Sequence, residues 1–355
     1  MAKPQKFQLI KKVSLRDLSL FTRSLSATIT AGLPIVKALT ILKDQTNNPY
    51  FEEIIADIIK RLEEGERFSM ALSRYPQVFN KVYIASIKAA EASGKFDEVL
   101  KDLADTLEKE YKLDSSIRGA VAYPIFIILA MIATAIILLT MVVPKLETIF
   151  KESGVTLPLS TRALIASGNF FNNYWYLVLM IVIGLVVWLR YFLRSPQGFI
   201  FTSKLALSVP VIKDLFIDVY MTRFAKILGM LIKAGVPIVE SVRLVGQVVS
   251  NSVYSQILTN VAYQLERGVP MSVPLSKAKE FPAIVSNMVA VGEQTGKLDE
   301  ILHSLTIFYE EETSRKVTTV SSLLEPILLV IVGGGVGVIV FAIIVPLYQI
   351  AGTIS

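Results

Sequence analysis

The sequence predicts an all-α membrane protein in which two homologous cytoplasmic helical-bundle domains are joined by three transmembrane helices. The first observation behind this prediction is an internal repeat: residues 91–100 and 293–302 share Glu, Gly, Lys, Asp, Glu and Leu at matching positions. The second is the helical spacing of apolar residues around both copies. The third is the uncharged segment that follows each copy, which exceeds the ~20 residues needed to cross a bilayer core.

The composition narrows the class of protein. Hydrophobic residues make up 53% of the chain and charged residues only 19%, and the mean hydropathy is +0.55, which is typical of a membrane protein. The absence of cysteine excludes disulfides and thiolate metal sites. The net charge is +6, and the basic residues are scattered among acidic ones. This pattern does not indicate nucleic-acid binding. The polar residues 1–7 lack the apolar stretch of a signal peptide, so we expect none.

The first domain, residues 1–118, reads as a bundle of helices in water. Ser14 and Asp17 have the spacing of a capping box, which predicts a helix start. Gly32 ends that helix, and Pro34 suits the first turn of the next one because its missing N–H has no partner to lose there. Helices are expected over 14–31, 35–45, 51–64, 69–75 and 80–93. Beyond residue 95, apolar residues three and four apart form one face of a further helix.

The repeated turn predicts a helix–turn–helix unit. Gly94 and Gly296 fall where a helix should end in a left-handed conformation. Asp97 and Asp299 are expected to cap the next helix, where a carboxylate also meets the positive end of the helix dipole.

Glu91 and Glu293, which open the repeated stretch, allow two interpretations. They are either structural residues or a working pair, acting as metal ligands or acid–base groups. The catalytic reading is disfavoured because neither His nor Cys accompanies them, and one carboxylate per copy makes no catalytic constellation. The single histidine, His303, is expected at an ordinary surface or packing position.

The duplication extends over both domains. The motif Ala-Gly-x-Pro-Ile-Val occurs at residues 31–36 and again at 234–239, where Gly235 and Pro237 take the positions of Gly32 and Pro34. The register drifts by only one residue between this motif and the turn. We therefore expect a second domain at 195–322 with the same helices as the first.

Three segments are long and apolar enough to span a membrane. They cover 119–144, 174–194 and 323–346, and the lipid-spanning part of the second is expected at about 174–193. A loop is expected at 145–173 and a short tail at 347–355. The second span has no counterpart in the repeat, so it is the helix that returns the chain between two copies of the same orientation.

Basic residues predict which side of the membrane each part faces. Lys and Arg concentrate next to the two domains, whereas the loop at 145–173 and the tail carry fewer. Loops rich in Lys and Arg stay in the cytoplasm. Both domains and the N-terminus are therefore expected in the cytoplasm, and the loop and the C-terminus outside it.

Two features of the third span suggest special roles. Gly333 and Gly337 form a small-xxx-small pair, which lets helices approach closely in lipid. The pair would pack against the protein's own spans or against another chain. Glu325 lies at the border of the span, where solvation or pairing with Arg315 or Lys316 is favoured over a proton relay.

The motifs resemble those of one known family. Ala-Gly-x-Pro-Ile-Val at 31–36 and 234–239, Glu-x-x-Gly-Lys at 91–95 and 293–297, and three spans resemble the inner-membrane platform proteins of type IV pilus assembly and bacterial type II secretion. The resemblance covers about residues 15–345. It implies a multi-pass protein of the bacterial inner membrane without catalytic residues, cofactor or metal.

The resemblance also implies partners and a role. A cytoplasmic hexameric assembly ATPase, and a retraction ATPase in pilus systems, would dock on the platform. The platform would help to move pilin or pseudopilin subunits from the bilayer into a filament. Other inner-membrane assembly proteins and a homodimer or higher oligomer are implied as well.

Other readings of the sequence remain as alternatives. The residues do not separate a pilus platform from a secretion platform. A transporter would require polar residues inside the spans or inverted repeats, whereas these repeats are parallel and the spans nearly uncharged. A membrane enzyme would require a catalytic constellation, and no nucleophile motif or phosphate-binding loop of the Walker type occurs.

Overall fold

The computed structural model describes residues 12–142, 144, 148, 159–209 and 212–353. Within these residues the secondary structure is helical and contains no strand, which confirms the all-α prediction.

The first repeat consists of five helices and the start of a sixth. Their bounds are α1 Leu15–Thr30, α2 Ile35–Gln45, α3 Pro49–Glu63, α4 Phe68–Ser73, α5 Lys81–Ser93 and α6 Phe96–Ile137, and a π-helical turn, Leu138–Val142, follows. Ser14 and Asp17 form the predicted capping box at the start of α1. Asn48 caps α3, so this helix begins at Pro49, two residues before the predicted start, because proline is tolerated at the first helical position.

The second repeat reproduces this order. Its helices are α8 Pro196–Ala206, α9 Ile212–Lys233, α10 Ile238–Val248, α11 Ser252–Glu266, α12 Ser272–Lys277, α13 Ala283–Thr295 and α14 Leu298–Thr353. Helices α9 to α14 correspond to α1 to α6, and α8 precedes them. Between the repeats, α7 covers Leu159–Arg194.

The same positions form the core in both repeats. Phe21, Phe51 and Phe79 pack as a ring cluster in the first, with centroids of Phe21 and Phe51 5.1 Å apart. Phe224, Tyr254 and Phe281 form the matching cluster in the second. Further buried pairs at matching positions are Leu25 with Leu228, Leu72 with Leu275, and Leu100 with Leu302. Burying each such side chain contributes about 1.5–3 kcal/mol, so the duplication is preserved where it carries most of the stability.

The chain divides into two compact units. The first, Met1–Ser116 with Ile200–Lys316, contains the helical bundles of both repeats, which share one hydrophobic core. The second, Ile117–Phe199 with Val317–Ser355, contains the apolar helices. The sequence predicted two domains bounded at 118, 195 and 322, whereas the compact units divide a few residues away and join the two bundles into one body.

Three helices are long and apolar enough to cross a membrane: Phe96–Ile137, Asn173–Leu193 and Leu298–Gly337. Each of them contains most of one predicted span: residues 119–137, 174–193 and 323–337. The side chains of these apolar segments are almost entirely exposed within the chain, which fits helices that face lipid. The chain is therefore a membrane protein.

The predicted loop at 145–173 is wrong over its second half. Residues 159–173 belong to α7, in which the backbone leaves helical geometry at Tyr174 (φ −127°, ψ 18°). The polar residues 168–173 suggested a loop, but a helix satisfies its own backbone hydrogen bonds and tolerates polar side chains. The first half of the loop, apart from residue 148, and the end of the tail at 354–355 lie outside the described residues.

Candidate functional site

Glu91 and Glu293 each cap a neighbouring short helix. The Glu91 carboxylate accepts hydrogen bonds from the backbone N–H of Ser69, at 3.2 Å, and from the Ser69 hydroxyl. Residue Arg67, at the N-cap position of α4, makes no side-chain capping bond of its own. The carboxylate from the end of α5 therefore satisfies a free N–H at the start of α4.

The second copy makes the same arrangement with one more bond. Glu293 accepts from the backbone N–H of Met271 at 2.5 Å, from that of Ser272 at 3.1 Å and from the Ser272 hydroxyl at 2.6 Å. These contacts support the structural interpretation of both carboxylates. The sequence signal was present, because Ser69 and Ser272 recur at the same place in the repeat, but spacing alone did not connect them to the glutamates.

The glycines of the repeated turn adopt the predicted conformation. Gly94 and Gly296 have φ of 72° and 70° and lie at the C-terminal ends of α5 and α13. The N–H of Gly94 donates to the carbonyl of Ala90 at 2.9 Å. Left-handed φ values are readily adopted only by glycine, which explains why both copies retain this residue.

The capping prediction for Asp97 and Asp299 is wrong in position. The helices already begin at Phe96 and Leu298, so both aspartates lie inside the first turn and not before it. The N–H groups of the first turn still favour a negative charge there. Each helix therefore begins two residues before the position that a cap at Asp97 or Asp299 would imply.

The Ala-Gly-x-Pro-Ile-Val motifs join α1 to α2 and α9 to α10. Gly32 and Gly235 have φ of 83° and 90°, and each donates its N–H back into the preceding helix. Pro34 and Pro237 are the residues just before α2 and α10, one position earlier than predicted. Their carbonyls accept the first helical hydrogen bonds, at 2.9 and 2.8 Å.

A polar interface joins the two repeats, and sequence reasoning missed it. Lys233 of α9 pairs with Asp102 of α6 at 2.8 Å, and Lys109 of α6 pairs with Glu310 of α14 at 2.6 Å. Helix α5 packs against α9 and α10, and Lys81 donates to Gln247 at 2.8 Å. The charges were visible in the sequence, but no pattern there indicated which helix faces would meet.

A cleft of about 380 Å³ lies along this interface between α6, α9 and α14. Lys226 lines it and contacts Glu310 at 3.2 Å. Burial lowers the pKa of Lys226, and the neighbouring Glu310 carboxylate opposes that shift. The hydrogen bond to Asp102 raises the pKa of Lys233. His303 also lines the cleft and is exposed to solvent.

The cleft does not form a metal site. No group of three His, Cys, Asp or Glu side chains able to hold a metal ion occurs in the described part of the chain. Its charges are of both signs. Lys233 and Lys109 pair with Asp102 and Glu310 across the interface, whereas Asp105 and Lys226 pair within their own repeats.

The paired glycines of α14 have open space around them. A Cβ atom built on Gly333 or Gly337 would meet nothing within 4 Å, whereas one on Gly335 would lie 3.6 Å from the sulfur of Met131. Gly335 is thus a position at which the apolar parts of α14 and α6 approach each other. Self-association through Gly333 and Gly337 stays a prediction.

Comparison with known proteins places the chain in a family. A family model for the type II secretion system (T2SS) protein F matches residues 21–144 and 224–346, which are the two repeats with their spans. A type IV pilus assembly protein PilC of Thermus thermophilus is 35% identical over 96% of this chain and 84% of its own length. One of Myxococcus xanthus is 32% identical over 96% and 82%.

Relatives named for secretion are similar to the chain at almost the same level. A type II secretion system protein F of Pseudomonas aeruginosa is 30% identical over 95% of this chain and 84% of its own length. These names describe pilus assembly and secretion proteins and not enzymes. Two matched repeats, three apolar helices and relatives of this similarity show that the chain belongs to the family of the type II secretion system protein F, which includes type IV pilus assembly proteins.

Proposed function

We propose that the chain is a non-enzymatic platform protein in the bacterial inner membrane, at the base of a type IV pilus machine. It would dock the cytoplasmic assembly ATPase and couple that motor to the insertion of pilin subunits from the membrane into the filament. The family membership supports this role. The identities of 35% and 32% to the Thermus and Myxococcus pilus relatives support the pilus role, and the 30% identity to a secretion relative keeps the secretion platform as the alternative.

The observation that carries the proposed topology is the contact between the two bundles. Helices α6 and α9 are joined by an ion pair of 2.8 Å, and two bundles in such contact lie on one side of a membrane. An odd number of crossings would place them on opposite sides, so an even number separates them. Together with the basic residues beside the bundles, this supports a cytoplasmic N-terminus, two cytoplasmic bundles and an extracytoplasmic C-terminus.

Two helices offer a route for coupling. α6 and α14 each begin in a bundle and continue without interruption into an apolar segment. A motor that moves a bundle would therefore move the segment that lies among pilin subunits in the bilayer. The other proposed partners are a retraction ATPase, further inner-membrane assembly proteins and additional copies of the chain.

Interrupting one of these helices tests the coupling. A flexible Gly-Ser insertion after Asp114 should abolish filaments while the protein remains in the membrane and still recruits the ATPase. The same insertion between Thr46 and Asn47, in the loop between α2 and α3, is the matched control and should leave filaments intact. Normal piliation with the insertion at Asp114 would contradict the coupling.

The alternative function is the platform of a type II secretion system, which would move pseudopilins for protein export. A deletion strain separates the two. Loss of surface filaments with normal export supports the pilus role, whereas loss of export with normal filaments supports the alternative. Restoration by the intact chain is the control.

A further inference from the structure

The two repeats meet through different faces. We call the surface of α5 and α6 the 5–6 face of the first repeat, and the surface of α9 and α10 the 1–2 face of the second. The observed interface joins these two. A contact between unlike faces is heterologous. It leaves most of two equivalent surfaces outside the interface. One is the 1–2 face of the first repeat, on α1 and α2. The other is the part of the 5–6 face of the second repeat, on α13 and α14, that lies beyond Ile307 and Glu310, which border the interface.

The 5–6 face of the second repeat is apolar and exposed. Each residue of this face is compared with the residue of the first repeat at the same distance in sequence as Gly94 is from Gly296. Val82, only 4% exposed, becomes Ile284, which is 46% exposed. Ala89 becomes Val291, 47% exposed, and Thr106 becomes Phe308, 42% exposed. Large apolar side chains clustered on an exposed face mark an interaction site.

The 1–2 face of the first repeat is exposed as well. Here the offset is that between Gly32 and Gly235. Met230, 7% exposed in the interface, corresponds to the exposed Ala27. Arg223 corresponds to Leu20, which is 57% exposed, and the half-buried Leu244 corresponds to the exposed Ile41.

The two exposed faces complement each other in size. Within the chain, the small Thr106 meets the long Met230, whose sulfur lies 3.8 Å from the threonine hydroxyl. At the matching place between the exposed faces, the large Phe308 would meet the small Ala27. The large side chain is on the second helix of the pair in one contact and on the first in the other, so the same distance between helices is filled in both.

The charges are compatible too. Asp102 and Lys233 form an ion pair within the chain. The residues at the matching positions, Ser304 and Thr30, are both neutral. The place of Arg223, which contacts Glu110 at 3.5 Å, is taken by Leu20. Glu110 itself is matched by Glu312, which pairs with Arg315 on its own helix.

One pair in the matched contact has like charges. The ion pair of Lys109 with Glu310 would become Glu311 facing Glu108. Two cations already neutralise Glu108, since Arg23 lies at 2.5 Å and Lys112 at 2.7 Å. The like-charge pair is therefore tolerable at an exposed rim.

We propose that the α13–α14 face binds the α1–α2 face of a second copy of this chain, which repeats between chains the contact that joins the two repeats within one. The inference specifies the self-association that the proposed function includes. Because the faces are unlike, the assembly grows head to tail and closes as a ring where the rotation permits.

Cysteine cross-linking tests the contact, because the chain contains no cysteine of its own. Two full-length copies with different tags are expressed together in membranes, one carrying Phe308→Cys and the other Ala27→Cys. Oxidation should give a disulfide-linked product that carries both tags. The matched control replaces Phe308→Cys by Tyr263→Cys on α11, which is 56% exposed and outside both faces, and should give several-fold less product.

A positive control fixes the oxidation conditions. Thr106→Cys with Met230→Cys in one chain should close within that chain. If that bond forms, three results overturn the proposal: Phe308→Cys copies that link only to each other, linkage only to a different protein, or no linkage. The assay needs no filament and no ATPase, so its failure leaves the proposed function standing, and loss of the function leaves the assay interpretable.

Discussion

The two repeats share their core and their caps but differ in how one matching cation is used. Arg23 in the first repeat and Lys226 in the second occupy the same place, and each pairs with the matching glutamate, Glu108 or Glu310. Arg23 is 40% exposed along its side chain, whereas Lys226 is 16% exposed. Glu310 also accepts Lys109 from the other repeat. The buried copy thus became part of the contact between repeats, and the exposed copy did not.

This difference teaches where a duplicated fold can change. Core aromatics and turn glycines keep their positions because every change there costs stability in its own repeat. Surface residues diverge because only the identity of the neighbour constrains them. Matched substitutions in both repeats test whether the two copies are equivalent.

Removing a core ring should have the largest effect. Phe21→Ala and Phe224→Ala should each lower the free energy of unfolding by about 3–5 kcal/mol, because a buried ring leaves a cavity. Both bundles belong to one compact unit, so either change should lower a single unfolding transition of the whole chain in detergent. Two separate transitions, with only the altered repeat affected, would break the comparison and indicate independent domains.

Removing a cap should have the next largest effect, and it should differ between repeats. Glu91→Gln and Glu293→Gln leave helix N–H groups without a charged acceptor, at about 1–3 kcal/mol each. Glu293 accepts three hydrogen bonds and Glu91 two, so the second repeat should lose more.

Hydrogen exchange measures this loss locally. The amides of Ser69 in the first repeat and of Met271 and Ser272 in the second should exchange faster in the corresponding variant. Unchanged exchange in both variants would show that the carboxylates do not cap these helices. The exposed Glu240 provides a control, because Glu240→Gln should leave all three amides unaffected.

A smaller effect is expected from the turn glycines, and it should be equal in the two repeats. Gly94→Ala and Gly296→Ala should each cost about 1 kcal/mol, because alanine disfavours a positive φ. A Cβ at either position has open space around it, so backbone strain is the only cost. Gly119→Ala, at a helical position without positive φ, should not destabilise the chain. A several-fold difference between the two turns would contradict their equivalence.

The smallest effect concerns the two lysines of α9. Their contributions to stability should change with pH in opposite directions. The pKa of Lys233 is raised by Asp102, so its contribution to stability is complete below the unfolded pKa of 10.5 and disappears as the pH rises through the folded value. The pKa of Lys226 is lowered by burial, so the unfolded chain binds more protons and stability should rise with pH between the lowered value and 10.5.

Methionine variants separate these contributions. Lys233→Met should lose about 0.2–1 kcal/mol near neutral pH, as expected for an exposed ion pair, and lose less in strongly alkaline buffer. Lys226→Met should abolish the alkaline rise in stability. Denaturation at neutral and alkaline pH measures both, and an identical pH profile for the two variants would contradict their different burial.

Much of the fold could be predicted because it depends on local signals. The capping box at Ser14, the helix end at Gly94 and the extent of α2 are properties of neighbouring residues. The three apolar helices follow from composition alone. The duplication extended each local prediction to a second place in the chain.

The remaining features depend on residues far apart in the sequence. Glu91 caps a helix that begins more than twenty residues earlier, and Lys233 meets Asp102 across the repeats. Neither pairing has a periodic signature in one sequence. The helical start of α7 was not predicted because the polar stretch at 168–173 suggested a loop, although phenylalanine and asparagine side chains are compatible with a helix.

The side of the membrane on which the two bundles lie is the most direct test of the account. Single cysteines placed at residue 155 and at Tyr263 can be probed in intact cells with a membrane-impermeant thiol reagent, because no other cysteine is present. We expect labelling at residue 155 from outside the inner membrane, and labelling of Tyr263→Cys only after that membrane is permeabilised. Labelling of Tyr263→Cys in intact cells, or protection of residue 155, would contradict a platform whose two bundles meet in the cytoplasm.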